Sequence, residues 1–284
     1  MRAEDSLREG DLDESLRELQ EQVRKHPANP SYRVFLFQLL ALMGQWERAM
    51  TQLKVAGELD AGTLAMVQTY REALRCEVLR GEIFAGRRSP LVLGEPDEWF
   101  ALLIEAQRLL AQGAGEAASA MRGRALEAAP ATPGTIDGAP FEWIMDGDSR
   151  LGPVLEAIVN GRYYWIPFQH IRAIQVEEPH DLRDLVWTPA YFTWANGGES
   201  AGLIPTRYPG SETSPDPELR RGRRSEWLEQ PGGAYIGQGQ RMLFTDSGEY
   251  ALLEVRRIAL ETGPAETPAG TPAATQAESG DALG

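Results

Sequence analysis

The residues best equipped for chemistry lie in "WIMDGDSRLGP", residues 143–153. An apolar run ends there in Asp146, Gly147, Asp148, Ser149 and Arg150, two carboxylates, a hydroxyl and a guanidinium within five residues. Calcium binding by an EF-hand loop needs oxygen ligands at loop positions 1, 3 and 5, a glycine at 6 and a glutamate at 12. Counting from Asp146, the fifth position is Arg150, the sixth Leu151 and the twelfth Ala157, so the pattern fails. The pair also resembles the nucleophile loop of haloacid-dehalogenase-type phosphatases, where one Asp attacks phosphorus and the other is the general acid. That chemistry needs a downstream lysine and alternating strands and helices. The only lysines are Lys25 and Lys54, and short strand-like segments follow the loop. A metal-assisted hydrolase or phosphatase built on Asp146 and Asp148 stays as the alternative reading. The other reading is structural: both carboxylates accept backbone N–H groups in a turn, and Arg150 pairs with a carboxylate.

Other reactive types lack the company their chemistry requires. His26, His170 and His180 show no zinc-ligand spacing, and the single cysteine offers no Cys pair. No G-x-S-x-G elbow occurs. Cys76 falls in an apparent helix and reads as core, and Ser211 in "YPGSE" reads as a turn residue. Arg220, Arg221, Arg223 and Arg224 make a basic cluster that reads as a solvated loop, with a carboxylate-rich or phosphate partner as the other possibility. Trp194 and Trp227 would serve an oligomeric scaffold if exposed. No catalytic residue, cofactor or metal is assigned.

Composition narrows the class further. The formal net charge of −14 argues against nucleic acid and against an anionic membrane surface. One cysteine permits no intramolecular disulfide, which suits a cytoplasmic protein. The amino-terminal residues are charged rather than signal-like, and no apolar run reaches the roughly 18 residues of a membrane span.

The elements that would position these residues divide the chain. Leu12, Leu16, Leu19 and Val23 recur on one helical face. "GDLDESLREL" from Gly10 and "GQWERAMTQL" from Gly44 are offset by 34 residues, aligning Ser15 with Ala49 and Leu19 with Leu53. That period is the tetratricopeptide pattern, in which each helix pair leaves an apolar face for the next to cover. "QGAGEAASAMRGRALEAAP" reads as a degenerate third copy. The expected fold is therefore α+β in two domains: a tetratricopeptide-like helical repeat domain over 1–130 and a mostly β domain over 142–261. Residues 131–141 read as linker and 262–284, rich in Pro, Ala, Gly and Thr, as a disordered tail. One short helix is expected in the β domain. Gly152 would be its N-cap, Pro153 its first residue, "VLEAIV" its body and Asn160-Gly161 its stop.

The motifs "FEWIMDGDSRLGPVLEAIVNGRYYWIPFQHI", "LRDLVWTPA", "RYPGSE" and "GQGQRMLF", in this order behind a helical repeat, resemble the ImpE family, also called TagJ, over about residues 5–260. The family comprises accessory proteins of the bacterial type VI secretion system. The resemblance implies a non-enzymatic adaptor in the cytoplasm. Its implied partner is the small sheath subunit, bound through that subunit's N-terminal helix, with a link to the disassembly ATPase ClpV. It implies structural roles for the family-motif residues Asp146, Asp148, Arg150, Gly152, Pro153, Trp165 and Pro167. The partner-binding surface is not assigned.

Overall fold

The starts of the first two helices are set by capping side chains. Asp11 accepts the N–H of Glu14 ahead of α1 (Leu12–Lys25), and Asn29 accepts that of Ser31 ahead of α2 (Pro30–Leu42), which begins with proline. There follow α3 (Trp46–Leu59), α4 (Leu64–Phe84), α5 (Glu98–Ala111) and α6 (Gly115–Ala128). The computed structural model describes residues 11–93 and 96–262. Beyond Thr262, the tail expected to be disordered lies outside the described residues.

Consecutive helices pack on one another, and the 34-residue offset carries through to burial. Ser15 and Ala49 are both fully buried, as are Leu19 and Leu53. Gly44, at φ +69°, turns the chain between α2 and α3, and Gly113, at φ +80°, turns it between α5 and α6. Both occupy a left-handed conformation that side-chain-bearing residues resist.

The second half is antiparallel β structure. Its largest sheet has eight strands in the order β2-β1-β13-β6-β7-β8-β4-β5. These are β1 (Gly134–Ile136), β2 (Ala139–Phe141), β4 (Val154–Val159), β5 (Arg162–Pro167), β6 (Ile171–Val176), β7 (Trp187–Trp194), β8 (Glu199–Pro205) and β13 (Arg257–Leu260). A three-stranded sheet joins β3 (Ile144–Asp146), β11 (Met242–Thr245) and β12 (Glu249–Ala251), and β9 (Ser225–Gln230) pairs with β10 (Ala234–Gly239). Residues 134–141, which read as linker in the sequence, thus supply two strands of the large sheet. The short helix of this region is α7 (Pro217–Arg220).

The segment expected to be that helix is β4. All six residues of "VLEAIV" are buried, and they alternate between two cores. Val154 and Ile158 pack with the helices, while Leu155, Ala157 and Val159 pack inside the β region. A strand covered on both faces reads as a continuous apolar run, which hides its period of two. Asn160 and Gly161 do not stop a helix. With φ of +51° and +71° they form the two-residue turn joining β4 to β5, for which Asn-Gly is the favoured pair. Gly152 and Pro153 accordingly lead into a strand rather than cap a helix.

Candidate functional site

The loop 146–152 is closed by its own backbone and carboxylates. Asp146 N–H donates to the Gly152 carbonyl (2.7 Å), and Asp146 Oδ1 accepts the Asp148 N–H (2.8 Å). Asp148 Oδ1 accepts the Arg150 N–H (2.9 Å), and Asp148 Oδ2 accepts the Gly237 N–H on β10 (3.0 Å). Arg150, expected to pair with a carboxylate, grips Asp148 through Nε (2.8 Å) and Nη2 (2.5 Å), with its guanidinium 4.5 Å from the centre of the Phe84 ring of α4. Gly152 has φ +56°, and a Cβ there would meet Leu126 of α6 at 2.9 Å. Gly147 lies under Trp227, whose ring contacts Tyr208 and Phe244. Pro153 carbonyl accepts the Phe168 N–H, just after buried Pro167 at the end of β5.

Asp146 opens onto a larger buried network. Arg241, with no exposed surface, donates to Asp146 through Nη1, to Glu156 of β4 through Nη2, and to the Pro205 carbonyl through Nε. Glu156 is gripped from the other side by Arg80 of α4 (Nε 2.6 Å, Nη2 2.9 Å) and accepts the Tyr163 hydroxyl, which in turn accepts the Trp165 indole N–H. Arg80 also reaches Glu77, which accepts the Trp187 indole N–H at 2.9 Å. Arg207 donates to the Leu42 carbonyl at the end of α2 (2.8 Å). Four buried carboxylates (Glu77, Asp146, Asp148, Glu156) and four buried guanidiniums (Arg80, Arg150, Arg207, Arg241) thus lie between the helices and the sheet.

The acids respond differently to this setting. Burial pushes Asp146 up to about 6, against the pull of the single guanidinium of Arg241. Burial also presses upward on Glu156, but Arg80 and Arg241 together outweigh it and hold that carboxyl at about 2. Two guanidiniums and a tyrosine hydroxyl against one guanidinium account for the contrast. Burial raises Glu77 as well, while Arg207, short of a direct carboxylate partner, is lowered to about 10.

These groups are paired with one another and closed from solvent. Asp148 is fully buried, Asp146 is 4% exposed, and neither lines the clefts of roughly 660, 620 and 510 Å³ on the surface. Among the described residues, no three His, Cys, Asp or Glu side chains come together as a metal site. Several of the remaining candidates are likewise engaged. Cys76 is buried against the Gly161 carbonyl, and Ser211 donates to the Tyr208 carbonyl and accepts the Gly239 N–H. His170 is half-buried, and burial lowers its pKa. Arg221 pairs with Glu218, and Arg224 with Asp216 and Glu226, so local acids take up much of the basic cluster. Trp194 stacks on Phe192.

Asp146, Asp148, Arg150 and Trp165 are among the residues expected from the sequence, whereas Glu77, Arg80, Glu156, Arg207 and Arg241 are not. A signal was present: Glu156 is a lone charge inside an apolar run, and a buried charge needs a partner. The motifs "LRDLVWTPA", "RYPGSE" and "GQGQRMLF" supply Trp187, Arg207 and Arg241, so motifs far apart in the chain meet in one network.

Residues 138–259 match the model of the ImpE protein family. The chain is 55% identical over 261 residues to the type VI secretion system accessory component TagJ of Pseudomonas aeruginosa, covering 92% of each chain. The chain belongs to the ImpE family. The fold of this ImpE-family chain also matches the crystal structure of protein VPA1032 from Vibrio parahaemolyticus. The TM-score is 0.84 at 22% identity, over 93% of this chain and 98% of that one. Among the described residues, no helix is long and apolar enough to cross a membrane.

Proposed function

We propose that this protein is a non-enzymatic adaptor of the bacterial type VI secretion system. It binds the N-terminal helix of the small sheath subunit and links the sheath to the disassembly ATPase ClpV, acting in the cytoplasm. The observation that carries the reading is the 55% identity, across nearly the whole chain, to a protein named as an accessory component of that system. The chemistry of the 146–152 loop supports a non-catalytic role, because its carboxylates are consumed by internal partners and closed to solvent. Stacked helix pairs are a scaffold on which helical repeats hold partner segments. The sheath-helix and ClpV partnerships rest on the family resemblance.

The test is a pull-down of the small sheath subunit by the full chain, with and without the subunit's N-terminal helix. The helix-containing subunit should be retained and the truncated one lost. Equal recovery of both overturns helix-mediated binding. Adding ClpV to the retained complex should give a ternary complex, and its exclusion overturns the link.

A further inference from the structure

We infer that the cleft between α2 and the 179–185 loop is the surface that takes the partner's helix, an inference resting on the adaptor reading above. The cleft measures roughly 660 Å³ and is walled on one side by Pro30, Ser31, Val34, Phe35 and Gln38. Their spacing of about four makes them one face of α2, turned away from the face that packs in the repeat. The opposite wall is the short 3-10 turn Leu182–Leu185 of the β region. Val34, Phe35, Leu182 and Leu185 are each only partly buried, so both walls offer apolar surface still in reach of a ligand.

Gln38 points to an occupant. It is 6% exposed, it lines the cleft, and its side-chain amide has no hydrogen-bond partner among the described residues. Its amide oxygen and nitrogen open onto the cleft rather than being sealed in the protein, and they present both donors and an acceptor there. An incoming polar side chain or a free helix-terminal backbone group supplies the match. The charged side chains lining the cleft are Asp60 and Asp181, with His180 beside them; Asp181 is paired with Arg183, so Asp60 carries the rim's negative charge. The occupant that fits is an amphipathic helix of a partner protein, with an aliphatic stripe for the two walls, a polar group for Gln38 and a basic residue toward Asp60.

The second wall is fixed before any partner arrives. The Asp184 carboxylate accepts the backbone N–H groups of His180 and Asp181, each at 2.8 Å, and the Asp184 carbonyl accepts the Thr206 hydroxyl at 2.8 Å. Leu182 and Leu185 are therefore held in place, which reduces the ordering cost of binding.

The test uses a fluorescent synthetic peptide of the small sheath subunit's N-terminal helix, titrated by anisotropy into the full chain. Val34→Glu and Leu182→Glu should each weaken binding by about tenfold or more, and Gln38→Leu by severalfold. Tyr191→Ser, at a different cleft on β7, should leave it unchanged. Hydrogen exchange on the wild-type protein guards against misfolded variants: peptide should slow exchange at residues 30–38 and 179–185. Binding that tolerates all three cleft variants, or that leaves those segments unprotected, overturns the cleft assignment and leaves the adaptor reading standing. A peptide that does not bind the wild-type chain overturns the partner reading and the cleft assignment with it.

Discussion

Removing the guanidinium of Arg241 should destabilise the protein more than any surface charge change. Arg241 has no exposed surface and is shared by Asp146 and Glu156, with its third donor on the Pro205 carbonyl. In Arg241→Met the apolar volume is kept, but two buried carboxylates each lose a partner. Removing one side of a buried ion pair costs about 3–5 kcal/mol. Protonation of Asp146, already raised to about 6, limits its share of the loss, whereas Glu156 keeps Arg80. We expect about 4 kcal/mol at pH 7 and less at pH 5, where Asp146 takes up its proton. For a chain of this size that corresponds to a melting temperature lower by roughly 10 °C. Urea unfolding followed by fluorescence suits the measurement, because Trp165 and Trp187 are fully buried beside the network. Arg241→Met/Asp146→Asn should recover part of the loss, and Arg87→Ala, an exposed pair with Glu82, should cost under about 0.5 kcal/mol. A loss below about 1 kcal/mol for Arg241→Met at pH 7 would refute the reasoning.

Asp148→Asn keeps the loop's shape but leaves buried Arg150 without its counter-charge, so it should cost about 2–4 kcal/mol in urea unfolding. A Mg²⁺-supplemented phosphatase assay that detects turnover lost in this variant would revive the hydrolase alternative. The pH dependence of stability should divide between the two acids that share Arg241. Asp146, raised in the folded state, contributes stability that is complete below its ordinary value near 4 and is lost as pH rises through about 6. Glu156, lowered, contributes stability that is complete above its ordinary value and is lost as pH falls toward about 2. The stability of wild type relative to Asp146→Asn should therefore rise by about 2–3 kcal/mol between pH 7.5 and pH 4.5; a flat difference would show that Asp146 is not raised. Gly237→Ala would place a Cβ 2.3 Å from the fully buried Tyr208 ring and should cost about 1–3 kcal/mol in thermal unfolding, with a neutral outcome ruling out that close approach.

The helical half was legible because its signals are local. The spacing of Leu12, Leu16, Leu19 and Val23 is a property of one helix, and the Gly10/Gly44 offset pairs residues that are equally buried in the fold, Ser15 with Ala49 and Leu19 with Leu53. The β half was legible in class but not at β4. "VLEAIV" carries no alternation because both faces are covered, one by helices and one by the sheet's own core. Gly-Pro before it and Asn-Gly after it suit a helix as well as a strand and turn. The decisive residue was Glu156, since a lone carboxylate in a fully buried run makes sense only with guanidiniums facing it. Its partners Arg80 and Arg241 are separated from it by 76 and 85 residues, a distance that no periodicity spans.

That separation also bears on why the network is ionic. An apolar contact between the helices and the sheet would tolerate sliding, because apolar surfaces attract without direction. Bidentate guanidinium-carboxylate pairs do not, since a small shift breaks both hydrogen bonds and strands a buried charge. Arg80 fixes α4 on Glu156 of β4, Arg207 fixes the end of α2 through the Leu42 carbonyl, and Asp184 fixes the 182–185 turn. The cleft proposed for the partner lies between α2 and that same turn. Its two walls come from opposite halves of the chain, so its width is set by the ionic register rather than by either half alone. Loosening the register should therefore weaken peptide binding even where the cleft is untouched. The double change Arg80→Met/Glu156→Leu removes both charges of the central pair, leaving Arg241 with Asp146 and Glu77 with the Trp187 indole, and the variant shown folded by circular dichroism should bind the sheath-helix peptide several times more weakly than wild type in the anisotropy titration. Unchanged affinity in a folded double variant would separate the ionic lock from the cleft and assign the lock to stability alone.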